Sequence, residues 1–207
     1  MIVSLFELLI ERIIIKGLST HILQGFVLRL FGSRLNVLNL YFKKHPKKRM
    51  AYCYGSDDAH FAEMLNIVQN EADSLTIKLN MKDVEIKEKE AFAMAALTFS
   101  EPQKWGNYCK AGYALKFNVE MSGNIRQVRF EIKRGERKDS FVTRSIEQNV
   151  SVFTENMESD LLSEWNEVGE ICFIIPLDVG KQTVVGEVKI HNFIITPQAK
   201  EDQTEKH

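Results

Sequence analysis

Two clusters in this chain hold side chains able to do acid–base or metal chemistry. Asp57-Asp58 with His60 offers two carboxylates and an imidazole at a spacing that suits a cation, although three such residues read equally as an exposed polar turn. Glu155, Glu158, Asp160 and Glu164 supply the paired carboxylates that glycoside hydrolysis needs. Nothing in their neighbourhood drives two of their pKa values apart, so a solvated acidic loop is the simpler reading. The other templates for catalysis are absent from the sequence. No serine or cysteine sits in a nucleophile motif, the five histidines are scattered, and the 11 glycines form no phosphate-binding loop. The chain is therefore read as a non-enzyme, with neither a metal nor a cofactor expected.

Aromatic and polar strand residues suggest binding instead. Trp105 stands beside Gly106 and Asn107 in a polar stretch, where its indole either stacks on a sugar ring or packs in the core. Trp165, followed by Val168 and Ile171, reads as core. Lys116, Asn118 and Glu120 lie on the polar side of one alternating run, and Arg129, Glu131 and Lys133 on that of the next. If the two runs pair as a hairpin, those six stand side by side, forming a polar concavity for a ligand or a solvated face with cross-strand ion pairs. Arg144, flanked by Thr143 and Ser145, adds a further contact by position. The candidate ligand-binding residues are thus Trp105, Asn118, Glu120, Arg129, Glu131 and Arg144.

Strands position these groups. Tyr113, Leu115, Phe117, Val119 and Met121 alternate with Ala114, Lys116, Asn118 and Glu120, the period of a half-buried strand. Leu75, Ile77 and Leu79 repeat the pattern, as do Val128, Phe130 and Ile132. Ser122 to Ile125 fits a hairpin loop, with Gly123-Asn124 as its turn. Further strands are expected at Phe92 to Phe99, Phe141 to Ile146, Val150 to Phe153 and Glu170 to Pro176. A last one holds Val188, Ile190, Asn192 and Ile194 on one face and Phe193 and Ile195 on the other. About seven to nine short strands separated by turns predict an all-β sandwich of two antiparallel sheets.

The first 50 residues differ from the rest. They carry nine Lys/Arg against two acids, leaving 18 against 26 in residues 51–207, so a net charge of -1 conceals two oppositely charged parts. Residues 1–31 read as a helical hairpin; Leu35 to Phe42 fits helix or strand. The basic run Lys43 to Arg49, broken by Pro46, marks a domain boundary. The division is therefore a helical, basic segment over 1–50, a sandwich over 51–196 and a disordered tail over 197–207. The basic run beside an amphipathic helix suits peripheral membrane contact or a plain charged linker, and residues 1–42 suit self-association or a protein partner. An acidic remainder disfavours nucleic acid. Neither a signal peptide nor a membrane-spanning stretch is visible, and Cys53, Cys109 and Cys172 read as buried free thiols, so a reducing cytoplasm is expected.

Four segments together resemble the galactose-binding-like jelly-roll superfamily, which includes many carbohydrate-binding modules. They are Trp105-Gly-Asn-Tyr108 leading into Tyr113-Ala-Leu-Lys-Phe-Asn-Val119, the strand Val128-Arg-Phe-Glu-Ile132, Glu164-Trp-Asn-Glu-Val-Gly-Glu-Ile-Cys-Phe-Ile-Ile175, and Gly186-Glu-Val-Lys-Ile-His-Asn-Phe-Ile-Ile195. The resemblance spans about three fifths of the chain. It implies a jelly-roll sandwich and non-catalytic glycan binding on a curved face, as an accessory module. The competing expectation is a structural or interaction module whose N-terminal helices dimerise or attach to a membrane.

Overall fold

In a computed structural model, residues 34–44, 50–58, 60–71, 73–135 and 139–198 are described. The expected helical hairpin and most of the basic run and tail lie outside them. The described chain is a jelly-roll sandwich of two antiparallel sheets. The larger sheet contains β3 (Leu65–Glu71), β4 (Ser74–Ile86), β11 (Gly180–Pro197), β6 (Tyr113–Met121) and β9 (Val150–Asn156) in that order, with β1 (Leu35–Asn36) paired to β11. The five-stranded sheet runs β2 (Ala51–Tyr54), β5 (Phe92–Gln103), β10 (Val168–Pro176), β7 (Val128–Arg134) and β8 (Ser140–Ile146).

From β2 onward, only β3–β4 and β7–β8 join sequential strands within one sheet; every other connection crosses to the opposite sheet. This corrects the expected hairpin between Met121 and Val128, because β6 pairs with β11 and β9, while β7 pairs with β10 and β8. The turn residues are present but serve a different purpose. The Asn124 backbone N–H donates to the Val185 carbonyl at 3.1 Å, and its side chain both accepts from the Val185 N–H at 2.7 Å and donates to the Thr183 carbonyl at 2.7 Å. The loop is thereby fastened to β11, and Ile125 turns inward and is buried. Gly123 has a φ of +69°, and a Cβ there would lie 2.0 Å from the Val185 carbonyl oxygen. Gly123→Ala is expected to destabilise the protein by about 1–2 kcal/mol, read as a lower urea midpoint at unchanged slope.

The inward faces carry the alternating apolar residues, and five phenylalanines meet between the sheets. Phe117 of β6 lies 4.9 Å from Phe130, 4.8 Å from Phe153, 5.7 Å from Phe173 and 5.0 Å from Phe193, ring centre to ring centre. Such tilted and edge-on contacts are those that aromatic quadrupoles favour. In β11 the strict alternation fails. The ladder to β6 shifts between His191 and Ile194, and Asn192 adopts a φ of +54°, which asparagine tolerates better than most residues. Val188, Ile190, Phe193 and Ile195 are consequently all buried, whereas the sequence places the two pairs on opposite faces.

The compact unit that holds the sandwich begins at Arg34. β1 pairs with Ile194 and Ile195, and Asn36 then caps helix α1 (Val37–Lys44) by accepting the Asn39 N–H at 2.8 Å. Val37, Leu38, Tyr41 and Phe42 form the buried face of α1, with Lys43 and Lys44 in its last turn, where cations suit the helix dipole. Tyr41 packs edge-on against Phe99 at 5.4 Å. The ambiguous run Leu35 to Phe42 is therefore strand and then helix.

Candidate functional site

Directly opposed residues of an antiparallel pair share a face, so the ladder register maps the outward side of the five-stranded sheet. One row is Tyr54, Phe92 and Pro176; the next is Tyr52, Met94, Ile174, Arg129 and Ser145. A third holds Ala96, Cys172, Glu131 and Thr143, and a fourth Thr98, Glu170 and Lys133. One corner is aromatic. Tyr52 and Tyr54 are 37% and 52% exposed, with Tyr54 and Phe92 5.9 Å apart. Between this corner and the opposite one, Met94, Ala96, Cys172 and Ile174 are buried and form an apolar cluster against which Phe92 packs.

The opposite corner is an ion network. Glu131 Oε1 lies 2.8 Å from Arg129 Nε, while Oε2 accepts the Ser140 hydroxyl at 2.9 Å and lies 3.7 Å from Lys133 Nζ. Lys133 also lies 3.5 Å from Glu170 Oε1. Glu170 accepts the Thr98 hydroxyl at 2.7 Å and the Cys172 thiol at 3.2 Å. Burial would raise the Glu170 pKa, but those two donors and Lys133 outweigh it and hold the carboxyl below its ordinary value. Burial likewise opposes the Lys133 ammonium, and the neighbouring negative charge more than offsets it, so that pKa is raised. The Cys172 thiol is pushed up by burial and by Glu170, which makes it a weak nucleophile.

Of the six residues singled out by sequence, Arg129 and Glu131 belong to this face. Asn118 and Glu120 do not stand beside them: β6 is in the other sheet, so the two pairs occupy opposite outer surfaces of the sandwich. There Glu120 meets His191 Nε2 at 3.0 Å, Asn118 accepts from Asn192 Nδ2 at 3.0 Å, and Asn118 donates to the Ser151 carbonyl. At the β3–β4 side of that same sheet, a hollow of about 490 Å³ is lined by His60, Glu63, Met64, Asn66, Lys78 and Asn80, with no aromatic platform. His60 pairs with Glu63 at 3.1 Å in an exposed turn, as that reading of the Asp57–His60 cluster expects.

Trp105 is 3% exposed and offers no open ring face, which corrects its reading as a stacking platform. It precedes the short helix α2 (Gly106–Lys110), its ring edge-on to Phe99 at 6.1 Å. The Trp105 backbone N–H donates to the carbonyl of Trp165 at 2.7 Å, and Trp165 ends helix α3 (Leu162–Trp165) fully buried, as expected. Gly106 admits the Asn166 side chain, which accepts its N–H at 3.1 Å, so the two small helices close one end of the sandwich.

Arg144 also has a structural partner. In register with Phe130, it extends from β8 to Glu155 of β9 at 2.7 Å and ties the neighbouring edges of the two sheets. Glu155 is buried, in contrast to the solvated loop expected for it. Burial raises its pKa despite Arg144. A raised carboxyl pKa favours the fold at low pH, and that contribution is lost as pH rises through the folded-state value. Arg144→Met strands the carboxylate and raises the pKa further. The expected loss is about 1 kcal/mol near pH 8, modest because Arg144 is half-exposed, and smaller near pH 4, where Glu155 is protonated with or without its partner. Thermal melts of both proteins at the two pH values check this.

The sequence reading does not single out Tyr52, Tyr54 or Glu170. The available signal is the alternation of tyrosines around Cys53, in a strand of four residues. Among the described residues, no group of three His, Cys, Asp or Glu is placed to hold a metal ion, and no helix is long and apolar enough to cross a membrane.

The chain matches no protein-family model and no curated protein. Among solved structures it is similar to an exo-β-agarase, with a TM-score of 0.50 and 13% identity over 78% of this chain and 25% of that one. It is also similar to the family 11 carbohydrate-binding module of a cellulosomal cellulase of Clostridium thermocellum, with a TM-score of 0.45 and 10% identity over 81% of this chain and 95% of that one. A family 30 carbohydrate-binding module gives a TM-score of 0.45 and 11% identity over 73% and 93%. The likeness to the agarase is one of fold, and this chain spans a quarter of that protein.

Proposed function

We propose that this protein is a non-catalytic accessory module that binds carbohydrate on the outward face of its five-stranded sheet. The observation carrying this reading is the part-exposed tyrosine corner on β2, with a partly buried network of carboxylates and cations across the buried apolar cluster on the same side of the sheet. A pyranose presents an apolar C–H face and a rim of hydroxyls. Tyr52 and Tyr54 suit the first, and Arg129, Glu131, Lys133 and Glu170 suit the second. The rigid sheet holds these groups before a ligand arrives, which lowers the ordering cost of binding. The fold shared with part of an exo-β-agarase is in keeping with an accessory role.

A glycan array followed by calorimetric titration of the full chain tests the proposal. Saturable binding to at least one oligosaccharide, weakened by substitutions at Tyr54 and unaffected by Glu120→Ala on the opposite sheet, is expected. Binding to no neutral or acidic sugar would sink it.

A further inference from the structure

The edges of the two sheets meet on both sides of the sandwich, and the two sides are closed differently. At one, the helical turn Phe61–Met64 lies against β2, β3 and β4, with Phe61 buried. At the other, β8 and β9 end their sheets, and among the described residues no further strand pairs with either. Arg144 and Glu155 meet between them at 2.7 Å. Arg144 is in register with Phe130 and Glu155 with Leu115, both core residues, so the two charges point into the sandwich. Each is the single charge of its strand; the rest of Ser140–Ile146 and Val150–Asn156 is uncharged. Both strands are also bulged. Phe141 is the extra residue of β8 between the Ile132 and Lys133 pairings, and Ser151 and Val152 of β9 together oppose Asn118. Bulges and inward-pointing charges are the means by which an edge strand avoids pairing with another chain.

We propose that β9, with β8 beside it, is a latent self-pairing surface that the Arg144–Glu155 pair keeps shut. The pair draws the two edge strands towards each other, away from the flat course that a new strand needs. Once it is removed, β9 adds to the same strand of a second copy. The sequence of β9 favours that occupant. A two-fold antiparallel pairing centred on Phe153 sets Val152 opposite Thr154 and Ser151 opposite Glu155 across the two copies, with no like charges facing. Val152 is 56% exposed and free to pack across such a seam. The inference does not depend on the carbohydrate reading.

The test measures the mass of the full chain in solution over a wide range of concentration, for the parent and for Arg144→Gln combined with Glu155→Gln, which removes both charges and strands neither. The double variant is expected to rise towards about twice the parent's mass as concentration increases. Adding Val152→Lys, which sets a charge on the open edge, should return it to the parent's mass. Association through any other surface is common to all three proteins and cancels in the comparison. A double variant with the parent's near-ultraviolet circular dichroism and the parent's mass at every concentration would overturn the inference. So would association that persists with Val152→Lys. If the double variant fails to fold, Glu155→Gln alone decides between the same outcomes.

Discussion

Replacing Phe117 by alanine is expected to remove about 3–5 kcal/mol of stability, because the ring lies at the centre of the sandwich and the cavity left behind cannot collapse from either side. Four aromatic rings from β7, β9, β10 and β11 surround it, and those strands belong to both sheets. Such a loss is a large fraction of the roughly 5–15 kcal/mol that holds a typical domain folded. In a thermal melt it corresponds to a fall in midpoint of about 10 °C. Phe153→Ala provides the control: it removes the same ring type from the edge strand β9, where the side chain is only partly buried, and should cost clearly less. Phe117→Leu should cost about 1.5 kcal/mol or less, since it retains much of the volume. An unchanged midpoint for Phe117→Ala would mean that the two sheets do not meet there.

The second large effect concerns binding. Tyr54→Ala is expected to weaken glycan affinity about tenfold, the equivalent of about 1.4 kcal/mol, and Tyr52→Ala combined with Tyr54→Ala by considerably more. Both residues alternate outward along β2, so successive rings stand about 7 Å apart on one face. Tyr54 is exposed enough that truncating it alone should leave the melting temperature within about 2 °C of the parent. The separation of the two readouts is the informative part. A drop in affinity without a drop in stability assigns the tyrosines to the ligand, whereas parallel losses assign them to the fold. Titration beside a thermal melt of the same preparation gives both numbers.

Strand positions were legible because a half-buried strand leaves a period of two in the sequence, and β4, β6 and β7 carry it plainly. Sheet membership was not. Gly123-Asn124 is equally suited to a hairpin and to a crossing between sheets, and what decides is Asn124 bonding to β11, some 60 positions away. That one ambiguity put Asn118 and Glu120 beside Arg129 and Glu131 when the thickness of the sandwich separates them. The bulge at Asn192 hid for a related reason: a single residue in a left-handed conformation reverses the alternation without altering composition. Trp105 could be read as a stacking platform or as core because its sequence neighbours are polar. Its burial comes from Phe99 and the Trp165 segment, which the fold brings in from elsewhere. Cys172, within an unbroken apolar run, is buried as that run implies.

β11 lies between β4 and β6 and also receives β1, so the larger sheet has no centre until the last strand is in place. During synthesis at about 5–20 residues per second, the earlier strands of that sheet wait with unpaired edges for several seconds. Folding on the ribosome should therefore be a late, concerted event, with β3–β4 and β7–β8 as the local pairs able to form ahead of it. A translation stall before Gly180 would leave the nascent chain open to chaperones and proteases, however stable the finished sandwich is.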